Sequence, residues 1–212
     1  MISDGTLRMS QSDIVVAREA TPIHMILEVG MRAVFGYGSL LSIASLESTL
    51  GRRYEASRVL CEVRGWRRTW DVAMPNNKYY AQCPEGPVRP KRVIYLNVRP
   101  DVSGSVNGIL FVISADELAA YDRREWIYSR TRVNQGLIGV RVTGGDAWLY
   151  VGRPEYLFPA PLSWRDGGIR RTYLQMLAAA HGEFGDVFRD RFEASTQSVP
   201  EELIFEDRAE GR

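Results

Sequence analysis

The sequence predicts an α+β domain in which a small, mostly antiparallel β-barrel is flanked by helices. Three observations carry that prediction. Strand-like stretches fill most of the chain from Tyr54 to Ile113, broken by turn-rich segments at Pro75-Asn76-Asn77, Pro84 to Pro90 and Pro100 to Gly104, a pattern of successive strands that curls into antiparallel sheet. A strand, a tight glycine turn and a helix precede them over Arg32 to Leu50. Helical spacing dominates the end, from Ile169 to Glu193, and neither a repeat nor an interdomain linker is visible. Strands in the middle and helices at the end give α+β rather than alternating α/β.

Residues 1–30 are weakly patterned, with Val15-Val16-Ala17 and Ile23-His24-Met25-Ile26-Leu27 as their apolar clusters. An added helix, a partly disordered arm and an upstream start codon all fit this N-terminal extension. The domain proper spans 31–200, and 201–212 is a C-terminal tail. Arg32 to Tyr37 reads as a buried strand running into Gly38-Ser39, after which Leu41, Ile43, Leu46 and Leu50 mark a helix ended by Gly51. Strands follow over Tyr54 to Val63, Trp66 to Met74, Tyr79 to Gln82, Val93 to Val98 and Val106 to Ile113. Ser114 is an N-cap with Glu117 as its capping-box partner, opening a helix from Ala115 to Arg124. Ile127 to Val133, Leu137 to Val142 and Ala147 to Val151 return to strand character.

The 212 residues are enough to bury a core without disulfide or metal. The 27 basic and 26 acidic residues give a net charge of +1, so the basic footprint of a nucleic-acid or anionic-membrane binder is missing. Arg64, Trp66, Arg67, Arg68 and Trp70 interleave charge and aromaticity, but strand alternation makes them a wall with aliphatic stems over rings. Cys61 and Cys83 lie far apart without the Cys/His pairs of a zinc site, and read as reduced, buried structural residues. No export signal is visible, and runs such as Ile109 to Ile113 fall far short of the roughly 20 residues of a membrane span. The expectations are a cytoplasmic protein with no nucleic-acid or membrane partner; its oligomeric state is left open.

Two segments carry chemistry. Gly36-Tyr37-Gly38-Ser39 places glycines at a strand-to-helix junction, where backbone N–H groups can converge on an anion or a carbonyl. It is neither a Walker loop nor a dinucleotide fingerprint, and on local pattern alone it reads first as a plain tight turn. Tyr121 to Arg130 packs charges beside aromatics at a helix end. Glu125, against Trp126 and near Tyr128, is a desolvated general acid/base on one reading and part of a solvated charge run on the other. The histidines, His24 in the arm and His181 near a helix C-terminus, offer a Ser or Cys nucleophile no base. His181 reads as a capping residue.

Together these segments resemble the γ-glutamyl cyclotransferase superfamily, including its AIG2-like members. Phe35-Gly36-Tyr37-Gly38-Ser39-Leu40-Leu41 is similar to the family's Tyr-Gly-Ser-Leu loop, and Leu118 to Arg130 to its helix that ends in an essential Glu followed closely by Tyr. Val63 to Arg68, Ser105 to Phe111 and Trp148 to Gly152 extend the resemblance, which runs in order from Ala33 to Thr196. Leu40 stands where one branch has Asn, and Trp126-Ile127 replaces a glycine-containing spacer.

The resemblance implies the γ-glutamyl cyclotransferase-like fold and a cofactor-independent, metal-free cyclisation of a small γ-glutamyl substrate. The substrate's own α-amine attacks its γ-carbonyl, closing 5-oxoproline and releasing an amine or amino acid. It implies Glu125 as acid/base, the backbone N–H groups of Gly38, Ser39 and Leu40 as holders of the α-carboxylate or carbonyl oxygen, and Tyr37 and Tyr128 as pocket walls. Arg165, Arg170 and Arg171 are unplaced candidates for the leaving-group side. The alternative is a non-catalytic or altered member of the fold that binds a γ-glutamyl-like ligand or a protein partner.

Overall fold

A computed structural model describes residues 14–17, 21–159 and 161–209; the remainder of the expected N-terminal extension and residues 210–212 of the expected tail lie outside the described residues. The chain runs through β1 (Ile14–Val16), β2 (Ile23–Ile26) and β3 (Met31–Gly36) into a 3-10 turn at Ser39–Leu41 and helix α1 (Ile43–Leu50). Two long strands, β4 (Arg58–Pro75) and β7 (Arg92–Ser114), enclose the short β5 (Tyr79–Cys83) and β6 (Gly86–Val88). Then come α2 (Ala115–Arg124), β8 (Tyr128–Arg132), β9 (Leu137–Ile138), β10 (Val140–Thr143) and β11 (Ala147–Gly152). The described chain ends with β12 (Ile169–Arg170), α3 (Arg171–Phe184), α4 (Asp186–Ala194), β13 (Ile204–Phe205) and β14 (Asp207–Ala209).

The class is α+β, as expected, but the main sheet does not close into a barrel. Its strands run β1-β4-β7-β3-β11-β8, with β9 also on β4. The β1–β4 and β3–β11 pairs are parallel and the others antiparallel. Closure would require β8 to reach the β4 side. The outer edge of β4 is instead taken by β1 and β9, and β8 ends the sheet as a strand whose Arg130 and Arg132 pair with Asp122 and Asp146, a charged edge that discourages further pairing.

The strands read separately at 54–63 and 66–74 merge into β4, and those at 93–98 and 106–113 into β7. Pro100 to Gly104 breaks no strand, because the ladder absorbs it: the register shifts between Arg64 and Trp66 and between Thr69 and Val72. Gly65, at φ 89°, adopts the left-handed geometry that such an irregularity demands. The tail helix is likewise two helices, split at Gly185 with φ 83°.

Fully buried Val34, Phe35, Ile94, Ile109, Phe111 and Leu149 form the centre of the core. Tyr121 of α2 reaches it, donating to the Leu46 carbonyl at 3.1 Å and so tying α2 to α1. From the regions expected as extension and tail, Leu27, Leu203 and Phe205 are also buried. His181 is no side-chain cap. Its ring lies 4.1 Å from that of Phe192, its Nε2 has no partner among the described residues and burial pulls its pKa down to about 4, so it belongs to the packing between α3 and α4. Cys61 is buried as expected, whereas Cys83 is only partly buried.

Candidate active site

The site is assembled where β3 leaves the sheet. Gly36 ends the β3–β7 ladder opposite Ile109, and the chain turns through Tyr37 and Gly38. Leu41 N–H to Gly38 O, 2.9 Å, is the first hydrogen bond of the 3-10 turn, so the N–H groups of Gly38, Ser39 and Leu40 lie ahead of it as donors. Tyr37 anchors the turn by donating its hydroxyl to Tyr150 O at 2.7 Å. A Cβ on Gly38 would stand 3.2 Å from the Tyr173 hydroxyl of α3, so the glycine lets backbone and phenol approach closely.

Helix α2 delivers the carboxylate. Its start is set by the reciprocal Ser114–Glu117 capping box read from the sequence. Its end is Glu125, in the C-cap, whose N–H bonds Tyr121 O at 2.8 Å and whose carbonyl accepts from Tyr128 N–H at 2.7 Å. That turn lays Tyr128 into the wall, where its hydroxyl donates to Leu96 O at 2.8 Å. The Glu125 side chain is only 12% exposed, and Arg124 Nε lies 3.2 Å from its Oε1. Burial lifts the Glu125 carboxyl above its usual range, against the weaker downward pull of Arg124. Burial also raises the Tyr37, Tyr128 and Tyr173 phenols, with Glu125 adding to each, so these hydroxyls stay protonated.

One cavity of about 300 Å³ brings together all six residues singled out by the sequence: Tyr37, Gly38, Ser39, Leu40, Glu125 and Tyr128. Such a volume sits at the small end of the range for small-molecule sites. The cavity also takes in residues the sequence reading passed over. Arg124, read there as part of a charge run, donates Nη2 to Ser39 Oγ at 3.1 Å and to Ser45 Oγ at 2.7 Å, and Nη1 to Thr49 Oγ1 at 2.5 Å. It thereby stitches α2 to the loop and to α1. The available signal was the helical spacing of Tyr121, Arg124 and Glu125, which puts the three on one side of α2. Tyr95 and Tyr173, 5.2 Å apart and nearly perpendicular, belong to the wall as well; nothing in the local sequence marks them. Of the unplaced arginines, Arg170 lines the cavity, whereas Arg165 pairs with Glu85 and Arg171 with Glu206 on the surface.

A larger groove of about 1130 Å³ runs between α4 and the β4–β7 ribbon. It contains neither Glu125 nor the loop, and its Cys61 thiol is pushed far up by burial, which disfavours the thiolate. Among the described residues no cluster of three or more His, Cys, Asp or Glu stands ready for a metal ion, and no helix is long and apolar enough to cross a membrane.

No family model matches the chain, and no curated protein matches it significantly. Solved structures do. An uncharacterised protein from Homo sapiens superposes with a TM-score of 0.52 at 14% identity, over 82% of this chain and 96% of that one. YkqA from Bacillus subtilis gives 0.52 at 15% identity, over 80% of this chain and 55% of its own. A structure named gamma-glutamyl cyclotransferase gives 0.49 at 14% identity, over 82% and 95%. The chain shares the fold of the human protein and of YkqA. On this fold, the strand-end loop and the helix-end carboxylate, 87 residues apart from Gly38 to Glu125, converge on one cavity.

Proposed function

We propose that this protein is a γ-glutamyl cyclotransferase-type enzyme, which cyclises the γ-glutamyl group of an amine or amino acid to 5-oxoproline and releases the free amine. The observation that carries the reading is a desolvated carboxylate, Glu125, in the same cavity as the donors of the Gly38–Leu40 turn. The bound glutamyl group is folded so that its α-nitrogen lies against its γ-carbon; intramolecularity of this kind is worth up to about 7–11 kcal/mol. Glu125 takes a proton from the α-ammonium. The nitrogen lone pair then forms the ring C–N bond while the γ-carbonyl oxygen gathers negative charge, which backbone N–H groups stabilise. As the carbon–leaving-nitrogen bond breaks, the protonated Glu125 gives its proton to the departing amine; the carboxylate so regenerated then takes the second proton of the ring nitrogen and passes it to the released amine, which leaves as an ammonium. Water is not consumed, and the protein forms no covalent bond.

Its upward pKa shift through burial suits Glu125 to accept a proton and return it. Arg124 and the turn supply positive potential for the α-carboxylate. Incubation with a panel of γ-glutamyl amines, γ-glutamyl amino acids and glutathione, with 5-oxoproline as the readout, tests the reading. Release of 5-oxoproline from at least one donor is expected. Hydrolysis to free glutamate, or turnover of none, counts against it, and binding without turnover points to a non-catalytic member of the fold.

A further inference from the structure

Arg68 is among the largest fully buried side chains of the core. It sits on β4 between the two register shifts of the β4–β7 ladder, and its backbone is gripped by the segment after α4, through Arg68 N–H to Ser195 O at 2.9 Å and Gln197 N–H to Arg68 O at 3.0 Å. The guanidinium lies 4.0 Å over the Phe192 ring. Nη1 donates to Ser195 Oγ at 2.6 Å, Nη2 to the carbonyl and, at 3.2 Å, the Oδ1 of Asn107, and Nε to the Tyr37 carbonyl at 3.2 Å. Every one of these acceptors is neutral. Withdrawing a cation from water with no carboxylate bonded to it costs several kcal/mol, and Glu62 acts on this guanidinium only at a distance, so the bond to Tyr37 is the one to explain.

Tyr37 and Gly38 line the small cavity, whereas Arg68 does not and borders the larger groove instead. The peptide between Tyr37 and Gly38 is trans, as are all others among the described residues. In a planar trans peptide the carbonyl and the N–H point in opposite directions. Turning the Tyr37 oxygen back onto Arg68 therefore turns the Gly38 N–H forward. A flipped peptide would instead present a carbonyl oxygen to any anion in the cavity and repel it.

We propose that Arg68 is a positioning residue of the substrate pocket, locking the Tyr37–Gly38 peptide so that the Gly38 N–H, and not the Tyr37 oxygen, faces the substrate's α-carboxylate. The identity of that anion rests on the cyclotransferase reading; the orientation of the peptide does not.

The test uses binding, so that turnover does not enter. In a Glu125→Gln background, calorimetry compares γ-glutamylalanine with the same dipeptide amidated at the glutamyl α-carboxylate. With Arg68 present, the carboxylate form binds tighter by about 10–100-fold, the worth of a hydrogen bond to a charged acceptor. Arg68→Met collapses that ratio to within about threefold, and Arg68→Lys, which reaches one carbonyl, restores part of it. A merely structural clamp would lower the unfolding temperature and leave the ratio alone, which would overturn the proposal. Should both variants fail to fold, the Gly38 amide proton in the Glu125→Gln protein decides: it moves downfield with γ-glutamylalanine and not with the amidated form, and an unmoved signal overturns the assignment. If 5-oxoproline is produced by the unmodified enzyme while the ratio ignores Arg68, the positioning role falls and the reaction stands. If the ratio depends on Arg68 and no donor is cyclised, the reaction falls and the positioning role stands. If neither dipeptide binds, the positioning role falls, and the reaction is decided by the donor panel.

Discussion

Replacing Glu125 with Gln isolates proton transfer from everything else the residue does. The side chain is 12% exposed and keeps its shape as Gln, so the cavity stays filled. Arg124 loses one contact at 3.2 Å but retains Ser39, Ser45 and Thr49, so its guanidinium is not left without partners. Burial, the larger influence, raises the Glu125 pKa above 4.5 in the folded state. Between 4.5 and the raised value the folded protein holds more protons than the unfolded one, so this group's contribution to stability falls as pH rises and its cost is complete above the folded pKa. The Gln variant carries no such cost. It should therefore be as stable as the parent at neutral pH to within about 1 kcal/mol, with its relative advantage shrinking as the pH drops towards 4.5. Turnover should fall by about 10²–10⁴, the usual contribution of a general acid/base. The assays are 5-oxoproline release under saturating γ-glutamyl donor and urea unfolding across that pH range. Turnover within a few-fold of the parent in a folded, ligand-binding variant would refute the catalytic assignment.

Ser39→Ala removes one of several acceptors of Arg124 and leaves the backbone N–H in place, so turnover should fall far less than with Glu125→Gln; an equal loss in steady-state rates would show that the hydroxyl itself acts. Gly38→Ala pushes a methyl to 3.2 Å from the Tyr173 hydroxyl. Overpacking of this sort costs about 1–3 kcal/mol and should raise KM, and adding Tyr173→Phe should recover part of both in a double-mutant cycle. Ser114→Ala deletes the capping box of α2 and should cost about 0.5–2 kcal/mol by denaturant titration, with kcat unchanged well below the melting temperature, because the helix end that carries Glu125 is held separately through Tyr121 and Arg124.

What was legible in the sequence is what local rules determine. Ser114 and Glu117 are three residues apart and bond each other, so the start of α2 needs no distant partner, and its end ten residues later places Glu125 at a helix terminus. The glycine turn after β3 is equally local. The meeting of loop and carboxylate was legible only through the family resemblance, since no periodicity links Gly38 to Glu125. Tertiary structure alone decided three things. The sheet stays open because short strands β1 and β9 occupy the β4 edge that β8 would need, and pairing choice is a property of the assembled sheet. Arg124 became a link between helices instead of a solvated charge because α1 and the loop bring three hydroxyls within its reach. Arg68 lies on a strand whose alternation is broken by register shifts on either side. Its burial is set by residues up to 127 positions away, and a guanidinium finds its acceptors only after those segments have packed around it.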